Sequence, residues 1–332
     1  MKQNGYKKFI SKLLGGVFHQ KSLLLFFDYE TRGMKESKAV LLLLLTSMIW
    51  GLAFVAQSDA AGNVDTFFFN GTRMVLGFIV LLPLVIPILK KHKGDKKYFK
   101  SLMLDGLICG ILTGAACIVQ QYGVEFTTAG KAGFITSLYT LIVPVFSMFL
   151  GKKVPLKIWL CIAVGLVGTF LLSFDEQTGI GTGDLIVLVS AFLFAIQIMY
   201  IDHVTNKYDG VELSAFQFLY AGVLGLIIGY FVEGYTVSSM QAMFKSAWLP
   251  ILYAGVCSCG IAYTLQIIGQ KWVAPFKATL ALSLESEWAA FGGLVMLNER
   301  MEAIEVVGCL LMFAAVIVAQ LPDKGLAKKH RR

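Results

Sequence analysis

Long runs of apolar residues, separated by short polar segments, follow one another along most of this chain of 332 residues. The runs are continuous and do not alternate between apolar and polar positions, so they predict helices rather than the strands of a membrane β-barrel. About 20 residues of apolar helix cover a hydrocarbon core of roughly 30 Å. We therefore predict an all-α, polytopic integral membrane protein with ten transmembrane helices, at residues 38–57, 67–89, 101–121, 127–150, 157–174, 183–201, 213–233, 247–269, 275–297 and 303–320.

Composition and charge fit this prediction. Hydrophobic residues make up 57% of the chain and charged residues 15%, whereas soluble domains have about 45–50% and about 25%. The net charge of +8 comes from Lys and Arg in short segments between the apolar runs, which indicates a lipid bilayer and not nucleic acid as the partner.

The basic residues also predict an orientation. If the amino terminus is cytoplasmic, the inner segments hold 24 Lys and Arg residues when Lys38 at the start of the first span is included, while the outer loops hold only Lys245 and Arg300. This asymmetry predicts that both termini are cytoplasmic in a multi-pass protein of a bacterial-type inner cell membrane.

The two ends of the chain differ from the apolar part. Residues 1–37 are polar and basic, with one apolar run at 23–27 that is too short to span a membrane. They form a cytoplasmic extension that is either an amphipathic surface segment or a stretch before a natural start at Met34. Residues 321–332 are expected to be a basic cytoplasmic tail.

A weak internal repeat appears when the chain is shifted by 146 positions. The shift places Gln120 on Gln266 and Ser137 on Ser283, and it superposes the third and fourth predicted helices on the eighth and ninth. The unit therefore has five helices, at 38–174 and 183–320, and an odd unit must be inverted in its second copy. Inverted repeats are typical of secondary transporters, whose substrate sites lie near the membrane midplane between the repeats.

Three sequence features carry a family resemblance. They are Ile49-Trp50-Gly51-Leu52-Ala53-Phe54-Val55 in the first helix, Arg73 in the second, and Leu297-Asn298-Glu299-Arg300 after the ninth. Together with the two five-helix units, they resemble the EamA-type family of the drug/metabolite transporter (DMT) superfamily, over about residues 38–320. The resemblance implies a ten-helix transporter of amino acids, metabolites or drugs, often an exporter. The first unit has Gly151-Lys152-Lys153 where the family often has Gly-Glu, so a role for that Glu carries over only to Glu299.

Two acidic residues, Glu285 and Glu287, lie deep in the ninth predicted helix. Each acidic residue at a helix centre costs about 2.5–3.5 kcal/mol on an insertion scale, so their carboxylates should face protein or a water-filled path. Residues two apart point about 200° apart on a helix, so at most one faces a central cavity. Glu285, the repeat equivalent of Tyr139, is our choice for a residue that binds a cationic amine or exchanges a proton. The alternative is a structural ion pair or a hydrogen-bonded carboxyl group.

Other polar residues in the predicted helices leave two interpretations open. Lys131 and Lys277 occupy equivalent first turns, where they either attract anions or extend to lipid headgroups. Arg73 either contacts a substrate carboxylate or an outer gate, or it ties its helix to a neighbouring helix. Asp105 lies near an inner helix end, where a packing role is expected. Candidates to line a cavity are Trp50, Gln120, Gln121, Tyr139, Gln197, Tyr263 and Gln266.

The leading functional hypothesis is a secondary transporter of small organic molecules that exports them by alternating access. All four histidines lie in loops or termini and no Walker lysine is present, so we expect no metal, no cofactor and no enzymatic activity. The alternative is a non-transporting membrane scaffold or sensor. The sequence leaves open the substrate, proton coupling, and whether the chain forms a homodimer.

Overall fold

The structure is a computed structural model that describes residues 34–127, 129–173, 181–296 and 303–321. Over these ranges the backbone forms helices and their connections, and no strand. In chain order, the helices are α1 (Glu36–Ala60), α2 (Thr66–Lys91), α3 (Lys96–Val124), α4 (Ala129–Ser137), α5 (Tyr139–Phe149), α6 (Leu156–Ser173), α7 (Thr182–Val204), α8 (Gly210–Glu233), α9 (Val237–Tyr253), a π-helical segment (Ala254–Tyr263), α10 (Thr264–Gln270), α11 (Pro275–Leu282), α12 (Glu285–Met296) and α13 (Ala303–Gln320).

Within the described ranges, seven helical segments are long and apolar enough to cross a membrane. They are Glu36–Ala60, Thr66–Lys91, Lys96–Val124, Lys131–Phe149, Thr182–Val204, Gly210–Glu233 and Val237–Gln270, and two shorter apolar helices cover Leu156–Leu171 and Val306–Gln320. Large apolar side chains such as Leu160 and Phe231 are exposed on the outside of this bundle, where lipid rather than water would surround them. The prediction of an all-α, multi-pass membrane protein is confirmed.

Local capping decides where several helices begin. The Asp95 carboxylate accepts a hydrogen bond from the Tyr98 backbone N–H at 2.9 Å, so α3 begins at Lys96 and not at the predicted residue 101. The Thr236 hydroxyl oxygen accepts from the Ser239 N–H at 3.1 Å, so α9 begins at Val237. The backbone leaves helical geometry at Ala247, which is where the predicted span begins.

Two of the predicted spans are not continuous helices. The predicted span 127–150 is broken between α4 and α5, and the predicted span 275–297 is broken between α11 and α12. A serine stands at each break: Ser137 Oγ donates to the Phe134 carbonyl at 2.7 Å, and Ser283 Oγ donates to the Leu280 carbonyl at 3.0 Å. Bonds of this kind also occur inside continuous helices, as at Ser47 in α1, so they do not by themselves break a helix.

Small residues allow two pairs of helices to pack closely. Between α2 and α8, a Cβ atom on Gly222 would lie 2.8 Å from the Val75 backbone nitrogen. Between α6 and α13, a Cβ atom on Gly168 would lie 2.6 Å from the Gly308 carbonyl oxygen. Only glycine fits at these contacts, which is a common way for membrane helices to approach each other.

Some predictions lie outside the described residues. They concern residues 1–33, the Leu297-Asn298-Glu299-Arg300 motif and the basic residues 322–332.

Candidate functional site

A narrow cavity lies among the helices, beside the two helix breaks. The volume open to the centre of a water molecule is about 30 Å³, which corresponds to room for about two waters. Its lining comes from α1–α5, α7, the π-helical segment, α10 and α12, and consists of Trp50, Ala53, Phe54, Gln57, Arg73, Gln120, Thr136, Tyr139, Phe194, Gln197, Ile198, Ser258, Tyr263, Gln266 and Glu285.

The helix breaks bring Tyr139 and Glu285 together in this cavity. Tyr139 is the first residue of α5 and Glu285 is the first residue of α12, and both are buried. The Tyr139 hydroxyl donates a hydrogen bond of 3.1 Å to Glu285 Oε1. Because the N–H groups of the first turn of α12 carry partial positive charge, this helix end also favours a carboxylate. The carboxyl group of Glu285 is thus held in place while it remains part of the cavity wall.

An aromatic group forms another part of the wall. The rings of Trp50 and Tyr263 lie 4.6 Å apart between centroids, and Phe218 packs edge-on against Tyr263 at 5.5 Å. The Tyr263 hydroxyl lies 3.3 Å from Cys117 Sγ. These contacts fix the ring of Tyr263. The Trp50 indole N–H has no hydrogen-bond partner among the described residues.

The glutamine side chains of the cavity are only partly paired. Gln120 Nε2 donates to Thr136 Oγ1 at 3.0 Å, whereas Gln266 Nε2 reaches Gln197 Oε1 only at 3.5 Å. Three buried atoms have no hydrogen-bond partner in the part of the chain that the structure describes: Gln197 Nε2, Gln266 Oε1 and Gln57 Oε1. Since buried polar groups are normally paired, these atoms are available to a polar ligand or to water.

Arg73 contributes a positive charge to the cavity wall. Its side chain is 2% exposed, and its Nη2 donates to Asn70 Oδ1 at 2.6 Å. The guanidinium carbon lies 5.2 Å from the centroid of the Phe69 ring.

The structure places other candidate residues away from the cavity. Lys277 forms an ion pair with Glu36 at 2.8 Å, and Lys131 is partly exposed in the first turn of α4. Glu287 is buried, and neither of its carboxylate oxygens has a hydrogen-bond partner on another described residue. Gln121 Nε2 donates to the Gln57 carbonyl at 3.2 Å.

Sequence reasoning missed three polar residues of the lining. Gln57, Thr136 and Ser258 all face the cavity. Gln57 carries a signal that could have found it, since it is a polar side chain in the apolar run of α1. Thr136 and Ser258 carry none, because small hydroxyl residues are frequent in membrane helices.

A second polar group, the Asp105 cluster, consists of Ser101, Asp105, Tyr200, Lys207 and Tyr208. Asp105 Oδ1 accepts from the Tyr200 hydroxyl at 2.7 Å, and its Oδ2 accepts from the Tyr208 hydroxyl at 2.7 Å and from Lys207 Nζ at 3.2 Å. The Ser101 and Tyr208 hydroxyls lie 2.5 Å apart. Burial raises the pKa of Tyr208 to about 12; the Ser101 bond opposes this shift and the Asp105 bond adds to it. The Tyr208 hydroxyl therefore stays protonated at neutral pH and can act as a donor.

The side chains that usually bind metal ions do not cluster in the described ranges. Among those residues, no group of three His, Cys, Asp or Glu side chains is arranged to hold a metal ion.

Comparison with known proteins gives consistent matches over almost the whole chain. The model of the EamA-like transporter family matches residues 37–174 and again residues 181–320. The chain is 24% identical over 286 residues to the uncharacterized transporter YoaV of Bacillus subtilis, covering 85% of this chain and 96% of that protein. It is 28% identical over 290 residues to an uncharacterized transporter of Archaeoglobus fulgidus, covering 87% and 88%. A solved crystal structure aligns with a TM-score of 0.68 and 17% identity, over 90% of this chain and 100% of the other, which indicates a shared fold.

Proposed function

The chain belongs to the EamA-like transporter family and is a multi-pass membrane protein, and on that premise we propose that it is a secondary transporter that exports small organic molecules by alternating access. The observation that carries this proposal is the cavity at the two helix breaks, where Tyr139 and Glu285 meet. A polar, partly unpaired site deep in an apolar bundle is typical of a substrate path.

Ten membrane-spanning segments in two inverted repeats, at 38–174 and 183–320, are part of the proposal. A shift of 146 residues takes the first residue of α1, Glu36, to the first residue of α7, Thr182. The same shift takes the start of α5 at Tyr139 to the start of α12 at Glu285. The matching helix starts support two equivalent five-helix units.

Two contacts in the cavity support an axis that relates these units. Tyr139 and Glu285 are hydrogen-bonded and lie 146 positions apart, and so are Cys117 and Tyr263. Equivalent residues of a two-fold arrangement can touch only close to its axis. The cavity would therefore lie on the axis, as expected for a substrate site between inverted repeats.

Transport requires the cavity to open, because it holds only about two waters in this conformation. The breaks at α4–α5 and α11–α12 are places where helix halves can move, and the glycine contacts between α2 and α8 would let those helices slide. Glu285 is the residue that we place closest to transport. It would bind a cationic amine or exchange a proton as the cavity opens to each side in turn.

The test is a metabolite comparison of cells that carry wild-type protein, Glu285→Gln or Glu287→Gln. Glu285→Gln keeps the shape of the side chain and removes its titration, so it should abolish the metabolite change that wild type produces. Glu287→Gln makes the same change outside the cavity lining and should retain most of that change. Normal transport by well-inserted Glu285→Gln would contradict the role of Glu285. No metabolite change for wild type under many growth conditions would favour a scaffold or sensor.

Both termini are proposed to be cytoplasmic in an inner cell membrane, on the strength of the distribution of Lys and Arg. Single cysteines introduced at residues 90–100 or at 175–183, in a background without native cysteines, test this orientation. An impermeant thiol reagent on intact cells should label only the second segment. Labelling of only the first segment would reverse the topology.

A further inference from the structure

Arg73 offers the cavity an unused binding group. Building on the proposed transport function, we infer that the substrate is a small organic molecule with a single carboxylate group, and that the Arg73 guanidinium binds this carboxylate.

Arg73 lacks a counter-charge among the described residues. The residue is 2% exposed, yet it makes no ion pair with any carboxylate in the described part of the chain. A buried charge is costly unless it is paired and hydrogen-bonded. The cavity beside Arg73 is the place from which a negatively charged ligand can supply the missing partner.

The Arg73 guanidinium is held in one orientation. Asn70 Nδ2 donates to the Thr66 carbonyl at 2.9 Å, which leaves Asn70 Oδ1 to accept from Arg73 Nη2 at 2.6 Å. The Phe69 ring lies against the guanidinium, and the Cys117 thiol is within hydrogen-bonding reach of it. Among the described residues, Arg73 Nε has no hydrogen-bond partner. Asn70 is thus a positioning residue, and the planar guanidinium keeps a free donor that a ligand carboxylate can use.

The lining of the cavity carries few charges. Within the described lining, Arg73 is the only Lys, Arg or His side chain, and Glu285 is on the same cavity wall. One guanidinium neutralises one negative charge, and a second negative charge on the ligand would have no cation beside it. A monocarboxylate therefore fits better than a phosphate dianion or a dicarboxylate. The partly paired glutamines can bind further polar groups of the same molecule.

The experiment measures thermal stabilisation of full-length protein in lipid nanodiscs by matched carboxylate and amide compounds. The pairs are benzoate with benzamide, hexanoate with hexanamide, and L-leucine with L-leucinamide, all at millimolar concentration. At least one carboxylate should stabilise wild type, and its amide should not. Arg73→Gln should weaken carboxylate binding about 10- to 100-fold, as expected for loss of hydrogen bonds to a charged group.

Two further variants separate binding from folding. Arg73→Lys keeps the charge but lacks the planar guanidinium, so it should bind the carboxylate several-fold more weakly while melting like wild type. Lys245→Gln removes a positive charge at an exposed position of α9 and should bind like wild type. If Arg73→Gln does not fold, the comparison of Arg73→Lys with Lys245→Gln decides whether the Arg73 guanidinium binds the carboxylate.

Three results would overturn the inference. They are equal binding of a carboxylate and its amide, unchanged carboxylate binding by the folded Arg73 variants, and no stabilisation of wild type by any carboxylate. The metabolite comparison is independent of these results. Carboxylate binding without any metabolite change would contradict transport and leave the Arg73 site standing.

Discussion

The Asp105 cluster and the cavity differ in how completely their polar atoms are paired. In the Asp105 cluster, both carboxylate oxygens of Asp105 accept hydrogen bonds, from Tyr200, Tyr208 and Lys207. In the cavity, by contrast, four polar atoms have no partner among the described residues: Trp50 Nε1, Gln197 Nε2, Gln266 Oε1 and Arg73 Nε.

The difference separates a structural role from a binding role. A buried polar group without a partner costs about 1–3 kcal/mol, and such groups on a cavity wall are the ones that a ligand or water can reach and complete. The Asp105 cluster needs no ligand, because it joins α3 to the end of α7 and to the connection before α8. Changes in the cluster should therefore affect stability, and changes in the cavity should affect transport.

The largest change in the free energy of unfolding is expected for Asp105→Ala. The change leaves the Tyr200 and Tyr208 hydroxyls without their acceptor, and hydrogen bonds to a charged group contribute about 1.5–3 kcal/mol each. The free energy of unfolding, measured by denaturation in mixed micelles, should fall by about 3 kcal/mol. Substrate binding by the remaining folded protein should be unchanged.

Asp202→Ala is the matched control for Asp105→Ala. Asp202 pairs with Lys152, whose side chain is 41% exposed, and exposed pairs contribute about 0–1 kcal/mol. Equal destabilisation by the two variants would remove the distinction between the Asp105 cluster and an ordinary surface pair.

Gln266→Leu is expected to affect transport and not stability. Gln266 has an unpaired buried oxygen and a long contact to Gln197, so an apolar side chain of similar size should leave the free energy of unfolding unchanged or slightly higher. Transport should fall about 10-fold, which corresponds to the loss of about one hydrogen bond to a ligand.

Gln270→Leu makes the same substitution one turn later, outside the cavity lining. Gln270 Nε2 donates to the Ile198 carbonyl at 3.3 Å, and its Oε1 has no partner among the described residues, as for Gln266. This variant should therefore change the free energy of unfolding as little as Gln266→Leu does, and it should keep its transport rate. Equal loss of transport in the two variants would contradict a special role for the cavity lining.

The broad features of the fold could be predicted because lipid imposes a simple rule on sequence. Apolar runs mark the helices, and polar residues such as Arg73, Gln120 and Glu285 stand out inside them because each is costly to insert. These three residues do line the cavity. The orientation, the repeat boundaries and the roles of these residues stay predictions.

The helix breaks could not be predicted from the same rule. Neither Leu138 nor Leu284 is a proline or glycine. A serine hydroxyl that bonds to its own helix does not mark a break either, because Ser47 makes the same kind of bond inside the unbroken α1. A single sequence also does not show which side chains on distant helices pair with each other. Lys277 sits in a first turn as predicted, but its ion pair with Glu36 joins α11 to the beginning of α1.

The smallest effect is expected for Lys207→Gln, which tests what holds the Asp105 cluster together. Lys207 Nζ lies 3.2 Å from Asp105 Oδ2, but the Lys207 side chain is 46% exposed. An ion pair so open to solvent contributes about 0–1 kcal/mol and is screened by salt. Lys207→Gln should therefore lower the free energy of unfolding by less than about 1 kcal/mol at low salt, and the difference from wild type should shrink at high salt. If Lys207→Gln were as destabilising as Asp105→Ala, charge and not the tyrosine hydroxyls would hold the cluster, and pairing by hydrogen bonds would no longer distinguish it from the cavity.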